Sequence, residues 1–131
     1  MNDLYDSCTG LLKAMIAIPS HSREERAVAD MLEKYMSVRG LNPLRRGNNL
    51  WCVAPGFREG APVVLLNSHI DTVKPVPGWQ YDPYMPVEVG NRIYGLGSND
   101  AGGSVVSLLH AFISLSEKRQ AYNLIFLASA E

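Results

Sequence analysis

The spacing of apolar positions predicts a helix over Asp3 to Ala17, with Leu4, Leu11, Leu12, Met15 and Ile16 on one face and Pro19 just beyond it. Ser22 followed by Glu25 has the spacing of a capping box. It opens a second predicted helix that runs to about Val38, where Gly40 supplies the stop. Val28, Met31, Leu32, Tyr35 and Met36 recur at helical intervals and are read as core packing. The pattern then shortens. Leu50 to Val53 and Val63 to Ser68 read as strands, the second continuously apolar and therefore expected to be buried. Between them lies a loop with Pro55, Gly56, Gly60 and Pro62. Lys74 to Pro86 holds four prolines with Trp79, Tyr81 and Tyr84, and is expected to be an irregular surface loop. Val87–Val89 and Arg92–Tyr94 flank Gly90-Asn91 as a hairpin. Ser104 to Ser116 is a helix turning Val105, Leu108, Leu109, Phe112 and Leu115 inward, and Asn123 to Ala128 is a buried strand.

This order of elements predicts a three-layer α/β domain. No internal repeat or low-complexity segment interrupts it. A core strand placed so near Glu131 leads to the expectation that residues 1–131 are a fragment of a longer enzyme.

Composition narrows the partners. With 131 residues and 47% hydrophobic content, the chain has material for one modest core. A net charge of −1 offers no footprint for nucleic acid or an anionic membrane, and no apolar run approaches a membrane span. The basic doublet Arg45-Arg46 is read as a solvated turn. Cys8 and Cys52 are too few for a disulfide framework; as reduced thiols they fit a cytoplasmic location.

The candidate chemistry sits at His69-Ile70-Asp71, at the end of the Val63–Ser68 run, and at Asp100 in the string Gly95-Leu96-Gly97-Ser98-Asn99-Asp100-Ala101-Gly102-Gly103. Residues i and i+2 of a strand share a side, so Asp71 can reach the His69 imidazole and aim its other nitrogen at a metal. Taken alone, His-x-Asp is explained more simply by a hydrogen-bonded histidine at a strand end. Asp100 adds a carboxylate just before a helix N-terminus, where negative charge is favoured. His69 as a terminal ligand, Asp71 behind it and Asp100 as a bridge would supply part of a two-metal site. A dinucleotide-binding turn at Gly95-Leu96-Gly97 fails because Asp100 occupies the third glycine's place, where it would repel a pyrophosphate. No Gly-x-Ser-x-Gly string occurs, and neither cysteine has a nucleophile's local signature. His110 is read as a packing histidine and His21 as a loop residue.

These residues carry a resemblance. Leu65-Leu66-Asn67-Ser68-His69-Ile70-Asp71-Thr72-Val73 resembles the first metal signature of the dizinc aminoacylase and carboxypeptidase family, which includes acetylornithine deacetylase and succinyl-diaminopimelate desuccinylase. Trp79-Gln80-Tyr81-Asp82-Pro83-Tyr84 is similar to the family's Trp-x-x-Asp-Pro-Phe loop. Ile93 to Gly103 is similar to its Gly-x-Gly-x-x-Asp-x-Lys-Gly-Gly string, except that the lysine is absent.

The resemblance implies that His69 ligates one metal, Asp71 orients His69, and Asp100 bridges two zinc ions, with cobalt or another divalent ion as alternatives. It also implies a cis peptide after Asp100. Phe126-Leu127-Ala128-Ser129-Ala130-Glu131 resembles the strand leading to the family's Asp-Glu-Glu triplet. In that register Glu131 matches the first acidic position, and the general base and a ligating glutamate follow it; shifted by one, Glu131 would be the base. The resemblance implies that residues 1–131 are the N-terminal part of a three-layer α/β/α zinc-hydrolase catalytic domain. The implied activity is hydrolysis of an N-acyl amino acid, acetylornithine deacetylase-like, by a homodimeric enzyme whose lid or dimerisation domain lies outside these residues. A dipeptidase or a desuccinylase of the same family is the alternative, and a non-catalytic α/β domain is the reading from another class. Two ligands, His69 and Asp100, cannot complete a four-coordinate zinc site without further donors.

Overall fold

The computed structural model describes residues 3–131. Helix α1 (Asp3–Ile16) places Asp3 and Asp6 in its first turn and Lys13 in its last, matching the helix dipole. Helix α2 covers Arg26–Val38. Strands β1 (Leu44–Arg46), β2 (Asn49–Val53) and β3 (Val63–His69) follow, then the hairpin β4 (Val87–Val89) and β5 (Arg92–Tyr94), helix α3 (Gly103–Ser116) and strand β6 (Asn123–Ser129). Lys74 to Pro86 forms no helix or strand.

The main sheet has the order β1-β2-β6-β3, and β4-β5 stands apart. β2 runs antiparallel to β6, pairing Leu50 with Ala128 and Cys52 with Phe126. β3 runs parallel to β6 from Val63 opposite Asn123 to His69 opposite Ser129. Cross-strand partners share a face, so Leu50, Cys52, Leu124, Phe126 and Ala128 line one side of the sheet. They join one buried core with Leu11, Ile16, Val28, Leu32, Met36, Val105, Leu109 and Phe112 from the three helices. The α/β class expected from the order of elements is present. The opposite face carries Ile125 and Leu127, only half-buried, and Val53, Val63 and Leu65, which are exposed.

Three expectations change. Val63–Ser68 is not a buried strand: β3 pairs on one side only and stands at the sheet edge, with Leu65 53% exposed. A continuous apolar run reports the character of both faces and says nothing of how many neighbours the strand has. Arg45-Arg46 is not a turn but part of edge strand β1, where the Arg45 guanidinium meets Asp30 at 2.5 Å and Glu33 at 2.8 Å. Ser22 does not cap α2. Glu25 stands at that helix's N-cap without a side-chain capping bond, and the Ser22 hydroxyl is committed elsewhere. No helix among the described residues is long and apolar enough to cross a membrane.

Burial has a titratable consequence at β2. Desolvation pushes the Cys52 thiol up to about 11. A group whose pKa is raised by folding lends stability that is complete below its unfolded pKa and is lost as pH rises through the folded one. Between about pH 9 and pH 11 the chain is therefore expected to lose on the order of 2 kcal/mol that a Cys52→Ala variant does not lose. Urea unfolding of both proteins across that range checks this; parallel pH profiles would show that Cys52 is not the source.

Candidate functional site

β3 delivers His69 at the C-terminal end of the sheet, and hydrogen bonding to β6 continues one step beyond it, with the Ile70 amide donating to the Ser129 carbonyl at 2.9 Å. Ile70 is buried, anchoring the chain as it leaves the strand. The segment Ser20–Ser22 lies alongside. The Thr72 amide donates to the Ser20 carbonyl at 2.8 Å, the Ser22 amide to the Thr72 carbonyl at 3.1 Å, and the Ser20 hydroxyl to the Ile70 carbonyl at 3.0 Å. The Ser22 hydroxyl donates to Asp71 Oδ2 at 2.8 Å, so Asp71 is held from behind. This is where the serine read as a helix cap is spent.

Asp100 arrives from the other direction, on a turn over Ser98–Gly102 that leads into α3. The Gly102 amide donates to the Gly97 carbonyl at 2.8 Å, and a β-carbon on Gly102 would stand 2.7 Å from that oxygen. Gly97 has φ +78°, and a β-carbon there would meet the Thr72 methyl at 2.6 Å. Gly97 thus lets this turn lie directly on the residue after Asp71, while Gly102 lets the turn close on itself and on Leu12 of α1. The Asp100–Ala101 peptide is cis, at the bond where the sequence resemblance placed one.

The three residues singled out in the sequence come together here. His69 Nδ1 is 3.0 Å from the Asp71 carbonyl and 3.3 Å from its carboxylate Oδ1, while Nε2 is 2.9 Å from Asp100 Oδ1. Both ring nitrogens therefore face acceptors. A neutral imidazole has one N–H and can satisfy only one of them; the second contact requires a proton or a metal ion. Burial disfavours the charged ring, but the Asp71 carbonyl and the Asp100 and Asp71 carboxylates outweigh it and raise the His69 pKa. Held at Nδ1 by Asp71, the ring presents Nε2 beside an 86% exposed carboxylate, a nitrogen and an oxygen donor of the kind divalent ions take. Among the described residues no group of three or more His, Cys, Asp or Glu side chains is placed to hold an ion, so His69 and Asp100 fit such a site as part of its donor set.

These side chains line a cleft of about 330 Å³, with Thr72, Trp79 and the turn from Gly95 to Asn99 completing its walls. Sequence reasoning missed what pins the loop over it. His21 is a loop residue, as expected, but a held one: it pairs with Thr72 as an isolated parallel bridge, and its Nε2 is 2.6 Å from the Tyr84 hydroxyl. The Pro83 carbonyl accepts from the Leu96 amide at 2.7 Å. His21 and Tyr84 are too far apart in sequence for any local pattern to announce their contact. His110 is a packing histidine, buried, with Nδ1 at 2.7 Å from the Val106 carbonyl and Nε2 at 2.8 Å from the Tyr35 hydroxyl.

Comparison with known proteins bears on the same stretch. The model of peptidase family M20/M25/M40 matches residues 65–131, more than half of the chain. The chain is 32% identical over 117 residues to a succinyl-diaminopimelate desuccinylase of Xylella fastidiosa, covering 85% of this chain and 29% of that protein. It is 29% identical over 143 residues to an acetylornithine deacetylase of Edwardsiella ictaluri, covering 100% of this chain and 37% of that one. Its backbone resembles the YxeP protein of Bacillus subtilis, described as a dinuclear metal-binding peptidase, with a TM-score of 0.69 at 14% identity over 98% of this chain and 35% of that one. The chain spans little more than a third, at most, of these relatives.

Proposed function

The chain belongs to peptidase family M20/M25/M40, and from that premise we propose that it forms part of a two-metal amidohydrolase that removes the acyl group from an N-acyl amino acid. One observation carries the reading: a histidine at a strand end, oriented by Asp71 and facing the exposed Asp100 carboxylate at 2.9 Å inside a cleft. In this reading His69 and Asp100 would hold the metal centre, His69 as a ligand to one ion and Asp100 as the carboxylate shared with the second, and Asp71 would orient the His69 ring. Zinc is the ion proposed, with cobalt or another divalent metal able to replace it; when bound it supplies a water of lowered pKa and a polarised amide carbonyl.

The protein's own contributions are positional. Ser22 fixes the Asp71 carboxylate, Asp71 fixes the imidazole, and the glycine-lined turn brings Asp100 to it. Trp79 closes one wall of the cleft, where an acyl or side-chain group would shelter from water. The general base, a glutamate by the family resemblance, would accept the water's proton and pass it to the leaving amine. Among acyl groups we favour acetyl, because the alignment with an acetylornithine deacetylase runs across the whole of this chain.

The test is hydrolysis of N-acetyl and N-succinyl amino acids and dipeptides by the enzyme that carries this chain, before and after chelation. Turnover is expected with at least one N-acetyl substrate, lost on chelation and restored by zinc or cobalt. Activity indifferent to chelators, or absent from the whole panel, would overturn the reading. Residues 1–131 by themselves, with two of the donors a four-coordinate ion needs, are expected to show no chelator-sensitive turnover.

A further inference from the structure

Glu25 is completely buried, and the hydrolase reading gives it nothing to do. It stands just before α2, where its Oε1 accepts from the Arg23 amide at 2.9 Å. The same oxygen accepts from the Glu131 amide at 3.1 Å, across the whole length of the domain. Oε2 accepts from Asn48 Nδ2 at 3.4 Å, and Asn48 Oδ1 in turn accepts from Arg45 Nη2 at 3.1 Å. Next door, Asn49 Oδ1 accepts from the Ala130 amide at 2.8 Å. Two consecutive backbone amides beyond β6, Ala130 and Glu131, are thus held by side chains and not by a neighbouring strand.

A buried carboxyl group is costly unless its oxygens are satisfied, and an apolar residue would fill the same volume without that penalty. What a carboxyl can do, and leucine or methionine cannot, is accept two N–H groups arriving from different segments. Strand pairing of β6 ends at Ser129, opposite His69. From there the direction of the backbone is set by Asn49 and Glu25.

We propose that Glu25 is a positioning residue: its buried carboxyl, with Asn49 beside it, clamps the Ala130–Glu131 backbone as it leaves β6 and thereby fixes where the Glu131 carboxylate is delivered relative to His69. The catalytic consequence rests on the hydrolase reading above; the clamp itself does not. Arg45, Asn48 and Glu25 form one hydrogen-bonded line from the β1 edge to that exit. A one-ångström error in placing a general base costs orders of magnitude in rate, so a fixed exit has a direct use.

Amide hydrogen exchange by NMR on residues 1–131 tests the clamp with Glu25→Ala, Glu25→Gln and Asn49→Ala. In Glu25→Ala the Glu131 amide is expected to exchange at least about tenfold faster while Leu124 and Phe126 keep their protection. Glu25→Gln, which retains an acceptor at Oε1, should restore most of that protection. Asn49→Ala should expose Ala130 selectively. Unchanged exchange at Glu131 in Glu25→Ala would overturn the clamp, and so would uniform acceleration across β6, which reports only a less stable fold.

In the hydrolase proposed above, Glu25→Ala is expected to lower kcat by at least about tenfold with KM little changed, and Glu25→Gln to recover most of it. A kcat unchanged by Glu25→Ala would overturn the catalytic consequence. If the unmodified enzyme hydrolyses nothing, the functional reading fails, and the exchange experiment still decides the clamp.

Discussion

Replacing His69 with alanine is expected to remove tight binding of one of two metal ions and to lower kcat by at least about a thousandfold in the enzyme that carries this chain. The size follows from what the ring supplies. Its Nε2 faces Asp100 Oδ1 at 2.9 Å, and Asp71 stands on its other side with Oδ1 3.3 Å from Nδ1. Alanine also leaves the Asp100 carboxylate without its neighbour, so one substitution removes a ligand and disturbs the proposed bridge. Asp71→Asn should be milder. It keeps the carbonyl that faces Nδ1 at 3.0 Å but loses the anion behind the ring, and such outer partners are worth about 10- to 100-fold in affinity or activity. Metal content by elemental analysis, measured with steady-state kinetics, separates the two variants. Unchanged metal stoichiometry in His69→Ala would remove His69 from the ligand set.

The second large effect concerns the core beneath the site. Phe126→Ala is expected to cost about 3–5 kcal/mol, enough to unfold a domain of ordinary stability under mild conditions. Phe126 is 1% exposed, lies on β6 between β2 and β3, and has its ring centroid 6.1 Å from that of Phe112 on α3. Truncation opens a cavity where strand and helix meet, and rigid neighbours on both sides keep it from collapsing. Leu127→Ala, one residue along on the less covered face, should cost much less. Urea midpoints for both variants provide the comparison; equal losses would mean that the two faces of β6 are buried alike.

Helical spacing located α1, α2 and α3 because an amphipathic stripe is a local property of the sequence. The hairpin at Gly90-Asn91 was legible for a similar reason, its turn residues being contiguous with its strands. The trio His69, Asp71 and Asp100 was legible because each belongs to a short motif with its own spacing, and the motifs occur in order. What escaped was partnership over distance. Ser22 carries the same signal whether it caps a helix or holds Asp71, and only the approach of Ser20–Ser22 to the end of β3 decides between them. His21 with Tyr84, and Glu25 with Glu131, are pairings of the same kind. Nor could the apolar run in β3 reveal that one of its edges is bare, since edge position belongs to the sheet's order and not to the strand.

The parallel pairing of β3 with β6 also sets the order in which the molecule can acquire its chemistry. Val63 meets Asn123 and His69 meets Ser129 only after everything between them has been gathered into one loop. That loop contains Asp71, the Trp79–Tyr84 segment, the β4-β5 hairpin and Asp100. Helices can form early and close to home, but closing so long a span forfeits chain entropy before any strand contact repays it. The cleft is therefore expected to be among the last parts of this chain to form during folding. A chain that has made its helices but not yet joined β3 to β6 has His69, Asp71 and Asp100 and no cleft to hold them together.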